Sequence, residues 1–285
     1  MKKTFYALAA SLVFLSMFGC AQHSSAPAET QTVTLPGTGD SQDLLRELAK
    51  LYASQYPGRK VVVPDSISTT GGIEVVGKGK FHIGRVARLP NSEERARYGD
   101  FQYIEFARVP VVFVASTDVG VRDLSEQQIC DIWSGRVTNW KEVGGNNLPI
   151  AVRDRPEHGS NKEAIRQHLA CFTDLKVTSR AFEEPKNIDL VETMKHLSGA
   201  IGFMPLSEAL FNDLKPVTLN GVAGDNTNYK LGIGLGFVYK QTLSPNIVAF
   251  IDYLKTDTAR QVIRQTGHTL SWRQEFIGQT QSQIR

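Results

Sequence analysis

Gly37-Thr38-Gly39-Asp40-Ser41, Ser68-Thr69-Thr70-Gly71-Gly72 and Arg155 through Gly159-Ser160-Asn161 are short turns of small or hydroxyl-bearing residues, each placed to open a helix. The first turns of a helix leave N–H groups without intrahelical partners and carry the positive end of the macrodipole. Small residues let an oxyanion approach that backbone, so each turn can act as an anion cup. Three cups and one guanidinium suit a small oxyanion. Three helix ends at about half a charge each, with one arginine, sum to roughly +2.5, close to what a phosphate-like dianion needs. Candidate contacts are Thr38, Gly39, Asp40, Ser41, Ser68, Thr69, Thr70, Arg155, Gly159, Ser160 and Asn161, with Arg85 added if it faces inward.

Each of these side chains has a plainer reading. Asp40 either accepts a ligand proton or caps the helix that follows, and capping is the commoner role. Arg85 can be a solvated strand edge, and Arg88 a salt bridge at a strand end. Lys162 reads as an exposed helix lysine, His158 as an exposed loop residue, and one of Ser68 and Thr70 as a cap. Trp133 and Trp140 read as core.

Enzymatic patterns do not organise the chain. H-E-x-x-H, G-x-S-x-G, S-x-x-K and C-x-x-C are absent from the sequence. Gly72 to Lys78 nearly spells a phosphate-binding P-loop, but Gly79 replaces the required hydroxyl residue and the stretch reads as helix. Ser160 and His158 lack an orienting third group. The expectation is a binding protein with no catalytic residue, no metal and no cofactor.

The elements that must position the cups alternate in type. Ser41–Tyr56 carries Leu44, Leu45, Leu48, Leu51 and Tyr52 at helical spacing, and Lys60–Pro64 and Phe81–Val86 read as strands flanking a brief helix over Gly72–Val76. Residues 102–107 and 109–116 are β-rich runs separated by Pro110. Ser125 and Gln128 form a capping box for a helix that Gly135 stops. Strands at 148–153, 200–204 and 229–240 and helices at 161–172, 188–197, 246–254 and 259–266 complete the pattern. Such alternation predicts an α/β class with mostly parallel sheets. Ligands of open α/β sheets sit beyond the carboxyl ends of strands, which is where all three cups fall.

Met1-Lys2-Lys3 followed by an apolar run to Phe18 and then Gly19-Cys20 has the form of a secretory signal, too short to favour a spanning helix. Met17-Phe18-Gly19-Cys20 resembles a bacterial lipobox, which would make Cys20 the acylated N-terminus of the mature chain. An ordinary cleaved signal is the alternative. Ala21–Thr32 is polar and aperiodic and reads as a tether. The formal charge of +3 falls to +1 without Lys2 and Lys3, a balance that argues against nucleic acid. Cys130 and Cys171 are then an even pair, either a disulfide or two buried thiols.

Ser134–Gly145 (SGRVTNWKEVGG), Gly199–Ala209 (GAIGFMPLSEA) and Gly71–Gly84 (GGIEVVGKGKFHIG) together resemble the phosphate-binding proteins of bacterial ABC transporters. The likeness covers nearly all of residues 33–270. It implies the type II periplasmic-binding fold, an α/β architecture of two lobes hinged by two crossover strands. The chain would cross near Val111–Ser116 and return between about Leu210 and Gly232. The implied organisation is a lipoprotein signal peptide at 1–19, a tether at 20–32, lobe I from 33–113 and 220–285, and lobe II from 114–219. Carried over by position, Thr38, Thr69, Arg155 and Ser160 and the amides of Asn161 and Lys162 would hold the ligand.

Two departures stand out. The family often reads Arg-x-x-Gly-Ser-Gly-Thr. Here Arg155-Pro-Glu-His-Gly-Ser-Asn-Lys has one residue more, so either Arg155 or Arg153 matches. Where the family usually has a Ser or Asp after the strand ending at Gly84, this chain has Arg85-Val86-Ala87-Arg88. Loss of that acceptor predicts little discrimination between phosphate and sulfate. By resemblance the chain is a monomeric lipoprotein of the periplasm or cell envelope, bound to a membrane through its lipid, handing phosphate or a related oxyanion to an ABC permease. Ala21-Gln22, with no aspartate after the cysteine, leans towards the outer membrane by likeness to enteric lipoproteins. That favours an alternative in which the same fold binds phosphate weakly or not at all and acts as an envelope interaction lipoprotein.

Overall fold

The computed structural model describes residues 31–278; the expected signal peptide, Cys20 and most of the expected tether lie outside them. In chain order the elements are β1 (Gln31–Thr34), α1 (Gln42–Gln55), β2 (Arg59–Val62), α2 (Ser68–Gly77), β3 (Ile83–Val86), α3 (Ser92–Tyr98), β4 (Phe101–Ala115), β5 (Asp123–Leu124) and α4 (Glu126–Ser134). There follow β6 (Ala151–Asp154), α5 (Ser160–His168), β7 (Phe182–Glu183), α6 (Asn187–His196), β8 (Ala200–Pro205), α7 (Leu206–Phe211) and β9 (Pro216–Leu219). The chain closes with β10 (Gly232–Tyr239), α8 (Pro245–Tyr253), α9 (Asp257–Gln265) and β11 (Thr269–Ile277).

The α/β class is as expected, but the sheet is mixed. β10 runs antiparallel to β3 and β4, and β4 runs antiparallel to β11, β8 and β9. Parallel pairs are β1–β2, β5–β9, β6–β7 and β6–β8. The prediction of mostly parallel sheets fails because the two apolar runs around Pro110 are one 15-residue strand. Its first part pairs with β10 and β11, its last five residues with β8. Pro110 is tolerated because β11 releases β4 at Arg108 and β8 takes it up at Val111. The Val111 N–H points the other way, to the Leu231 carbonyl, so the missing proline donor falls in the gap between partners. β4 therefore joins two halves of the molecule, one holding β1–β3, β10 and β11, the other β5–β9.

Burial of Leu44, Leu45, Leu48, Ala49 and Tyr52 fixes the face of α1. The Ser125–Gln128 capping box forms as predicted, with reciprocal bonds of 3.1 and 2.8 Å, and Gly135 ends α4 in the left-handed conformation at φ 78°. The motif at Ser134–Gly145 serves the core: the buried Trp140 indole donates to the Gly199 carbonyl at 2.9 Å. The near P-loop stretch is helical through Gly77. Cys130 and Cys171 form a disulfide tying α4 to the 3-10 turn after α5. Gln31 and Thr32 belong to β1 and not to the tether, because they pair with Arg59 and Lys60.

Candidate functional site

Four strand-to-helix turns surround one cavity of about 390 Å³. Three are the cups named from the sequence. The fourth, Glu184–Lys186 between β7 and α6, brings Asn187 to the cavity wall. Sequence reasoning missed it because β7 is two residues long and the turn has no glycine or hydroxyl signature. Ser66, Glu183 and Lys186 also line the cavity.

The backbone beneath the first cup depends on glycine. Gly37 has φ 139°, and its Thr38 neighbour donates to the Arg85 carbonyl at 3.1 Å. A Cβ at Gly37 or Gly72 would overlap that same carbonyl, so both glycines let α1, α2 and β3 meet closely. Ser68 opens α2 at φ 67°, unusual for a residue with a side chain. Its amide donates to the Ser66 hydroxyl oxygen at 3.2 Å.

Asp40 is the centre of the arrangement. Its carboxylate accepts from Thr38 Oγ1 at 2.9 Å, Ser160 Oγ at 2.7 Å, Asn161 Nδ2 at 3.1 Å and Asn187 Nδ2 at 3.3 Å. Donors from three separate turns thus converge on one buried carboxylate. The capping reading of Asp40 is corrected: Ser41 occupies the N-cap of α1 and no side-chain cap bond forms there. Arg155 is 7% exposed, donates through Nη2 to Asn187 Oδ1 at 2.7 Å, and has no hydrogen-bond partner for Nη1 among the described residues. Burial lowers its pKa from the usual arginine value, while Asp40 acts to raise it. Four helix N-termini at about half a charge each, with Arg155 and against Asp40, leave roughly +2 for an anion.

Thr38, Gly39, Asp40, Ser68, Thr69, Thr70, Arg155, Gly159, Ser160 and Asn161 all line the cavity. Two candidates do not. Ser41 is fully buried at the N-cap with its hydroxyl unpartnered among the described residues. Arg85 is also fully buried, and its guanidinium is taken by the Leu35 and Pro64 carbonyls at 2.7 and 2.8 Å. Those carbonyls stand just before the first two cups, so Arg85 braces the cups instead of lining them. Its pKa is lowered to about 10, mainly by burial, so it remains charged at neutral pH.

Other side chains sort as cleanly. Arg153 pairs with Glu184 at 3.5 Å and stacks over Phe182, outside the cavity lining. Lys162 is buried and bonded to Asp154 at 2.6 Å, which corrects the exposed-lysine reading. Asp154 also accepts from the Trp133 indole at 3.2 Å, so the charge pair anchors α5 to α4. Thr69 Oγ1 accepts from the Ala87 amide at 3.1 Å, which leaves its hydroxyl proton free to donate. The His158 side chain is exposed at the rim.

The PBP superfamily domain model matches residues 22–258. The chain belongs to this superfamily. Its two-lobed α/β fold is shared with solved structures. One is a Clostridium perfringens protein described as a phosphate ABC transporter substrate-binding protein with bound phosphate, at TM-score 0.76 and 22% identity, covering 85% of this chain and all of that one. Another is an ABC-type phosphate transport receptor from Vibrio cholerae, at TM-score 0.63 and 22% identity, covering 84% of this chain and all of the other. Among curated relatives, the phosphate-binding protein PstS of Bacillus subtilis is 21% identical over 243 residues, 83% of this chain and 80% of the relative.

Proposed function

We propose that this PBP-superfamily chain is an extracytoplasmic receptor that captures protonated inorganic phosphate and delivers it to an ABC permease. One observation carries the reading: Thr38, Ser160, Asn161 and Asn187 present their donors to Asp40 from both halves of the molecule, beside the buried Arg155. A tetrahedral oxyanion entering the cavity would take over those donors, and a P–OH group would donate to Asp40. No covalent step is involved. The cups replace the hydration shell, and hinge closure excludes water. In this reading residues 33–113 and 220–285 form lobe I, 114–219 form lobe II, and the monomer is held to a membrane through acylated Cys20. The names of its relatives support phosphate as the ligand.

In this reading Asp40 would separate phosphate from sulfate, where the sequence alone led to an expectation of little discrimination. Sulfate carries no proton at neutral pH, so it would leave the carboxylate unmatched and repelled. An unmatched buried polar group costs about 1–3 kcal/mol, and more when charged. Titration calorimetry with phosphate, sulfate and a phosphonate is the test. Phosphate should bind at least about a hundredfold more tightly than sulfate, equivalent to about 2.7 kcal/mol. Asp40→Asn should shrink that ratio by about tenfold or more. Equal affinities would remove Asp40 from the role, and no heat with any anion would favour the envelope interaction lipoprotein.

A further inference from the structure

Arg88 forms the salt bridge at a strand end that its position suggests, and that bridge uses part of its guanidinium. Nη1 and Nη2 grip Glu94 at 2.7 and 2.8 Å, while Nη1 also meets the Leu89 carbonyl at 3.1 Å. Glu94 is itself fixed as the reciprocal partner in the Asn91 capping box of α3. These contacts lock the side chain, only 7% exposed, to the first half of the molecule.

The remaining contacts lead elsewhere. Nη2 donates to Thr70 Oγ1 at 3.0 Å, on the second cup. Nε donates to the His158 carbonyl at 3.2 Å, on the third cup, and lies 3.4 Å from Glu163 Oε1 in the first turn of α5. Arg88 does not line the phosphate cavity, yet it joins two of the turns that do. Burial acts to lower its pKa, but Glu94 and Glu163 outweigh that and raise it. The guanidinium therefore keeps its charge throughout.

We infer that Arg88 is a positioning residue that latches the second cup to the third across the cleft, holding the closed arrangement without touching the ligand. Planarity is essential to this. One face of the fork is spent on Glu94, which leaves Nε and the outer edge of Nη2 aimed at the two cups. Lysine would keep the charge near Glu94 but has no donor at the Nε position. The accepted bond also orients the Thr70 hydroxyl, whose proton must then point away from Arg88.

The inference rests on the receptor reading, so the test has one arm with phosphate and one without. In the first, stopped-flow binding compares wild type with Arg88→Lys, Glu163→Gln and the double variant. A latch acts after encounter. Arg88→Lys should therefore raise the phosphate dissociation rate about tenfold, with the association rate changed less than about twofold. Glu163→Gln should raise it by less, and the double variant should match Arg88→Lys alone, since both changes break one contact. In the second arm, spin labels at Lys80→Cys and Lys176→Cys report the distance between the halves without phosphate. Arg88→Lys should broaden that distribution towards longer separations.

An unchanged dissociation rate in Arg88→Lys would overturn the latch, as would independent, multiplying effects of the two substitutions. If wild type does not bind phosphate at all, the receptor reading fails, and the label distances alone decide the latch. An unaltered distribution in Arg88→Lys then overturns it.

Discussion

Arg153 lies within β6 and Arg155 just beyond its end, where the chain has left the strand, and their side chains go to different work. Arg155 is buried against Asn187 with one nitrogen unspent; Arg153 is taken by Glu184 and the Phe182 ring. Calorimetry should show phosphate binding weakened by about 1.5–3 kcal/mol in Arg155→Ala, the value of a charge-assisted hydrogen bond. Arg153→Ala should stay within about 0.5 kcal/mol of wild type, as expected for a residue outside the site. The reverse result would exchange the two roles. Residue types told which groups could hold an anion, but not Asp40's choice between cap and acceptor. That choice depends on Ser160, Asn161 and Asn187, which lie at least 120 residues away along the chain.

At the scale of elements, each cup is only as well placed as the helix behind it. α5 is held by the buried Lys162–Asp154 pair, with the Trp133 indole on the same carboxylate. Removing one partner leaves the other as an uncompensated buried charge, so Lys162→Met should cost about 3–5 kcal/mol in urea unfolding. The double variant Lys162→Met, Asp154→Asn should recover most of that loss, because a neutral amide keeps an acceptor for the Trp133 indole without a buried charge. If the double variant is no more stable than the single, the pair is not what anchors the helix. Helical periodicity made α1, α4, α8 and α9 legible, since their buried faces recur in the local sequence. β7 and β11 were not legible. β7 is two residues long, and β11 is a half-exposed edge strand whose burial follows no alternation. Pro110 was misread as a break because nothing local shows that its strand changes partners there.

For the whole molecule, the groove that α1 and α7 line together predicts a pH dependence. Glu208 on α7 lines a groove of about 480 Å³ together with Asp40, Asp43, Arg46, Glu47, Lys50 and His268. Burial first, then Asp43 and Asp40, raise its pKa from 4.5 to about 7, against Asn212 and Arg155. Between those values the folded chain keeps a proton that the unfolded chain has released, so this group's contribution to stability falls as pH rises. Glu208→Gln should remove the slope. Relative to wild type it should gain about 2–3 kcal/mol in urea unfolding on going from pH 5 to pH 8. Parallel pH profiles for the two proteins would show that the Glu208 proton is not held by the fold. His268 in the same groove has the opposite sign. Burial lowers its pKa to about 4, so stability is lost as pH falls from about 6.5 towards that value.

The sequence by itself determined the α/β class, the three glycine- and hydroxyl-rich turns and the helices behind them, because each is written in neighbouring residues through periodicity, capping and backbone freedom. Tertiary structure alone decided that a fourth turn joins them, that Asp40 faces the cavity, and that Arg85 braces the cups from below. Those outcomes depend on which side chains meet across separate strands and helices. Desolvation and hydrogen-bond satisfaction at such meetings are properties of the assembled volume, and no stretch of local sequence encodes them.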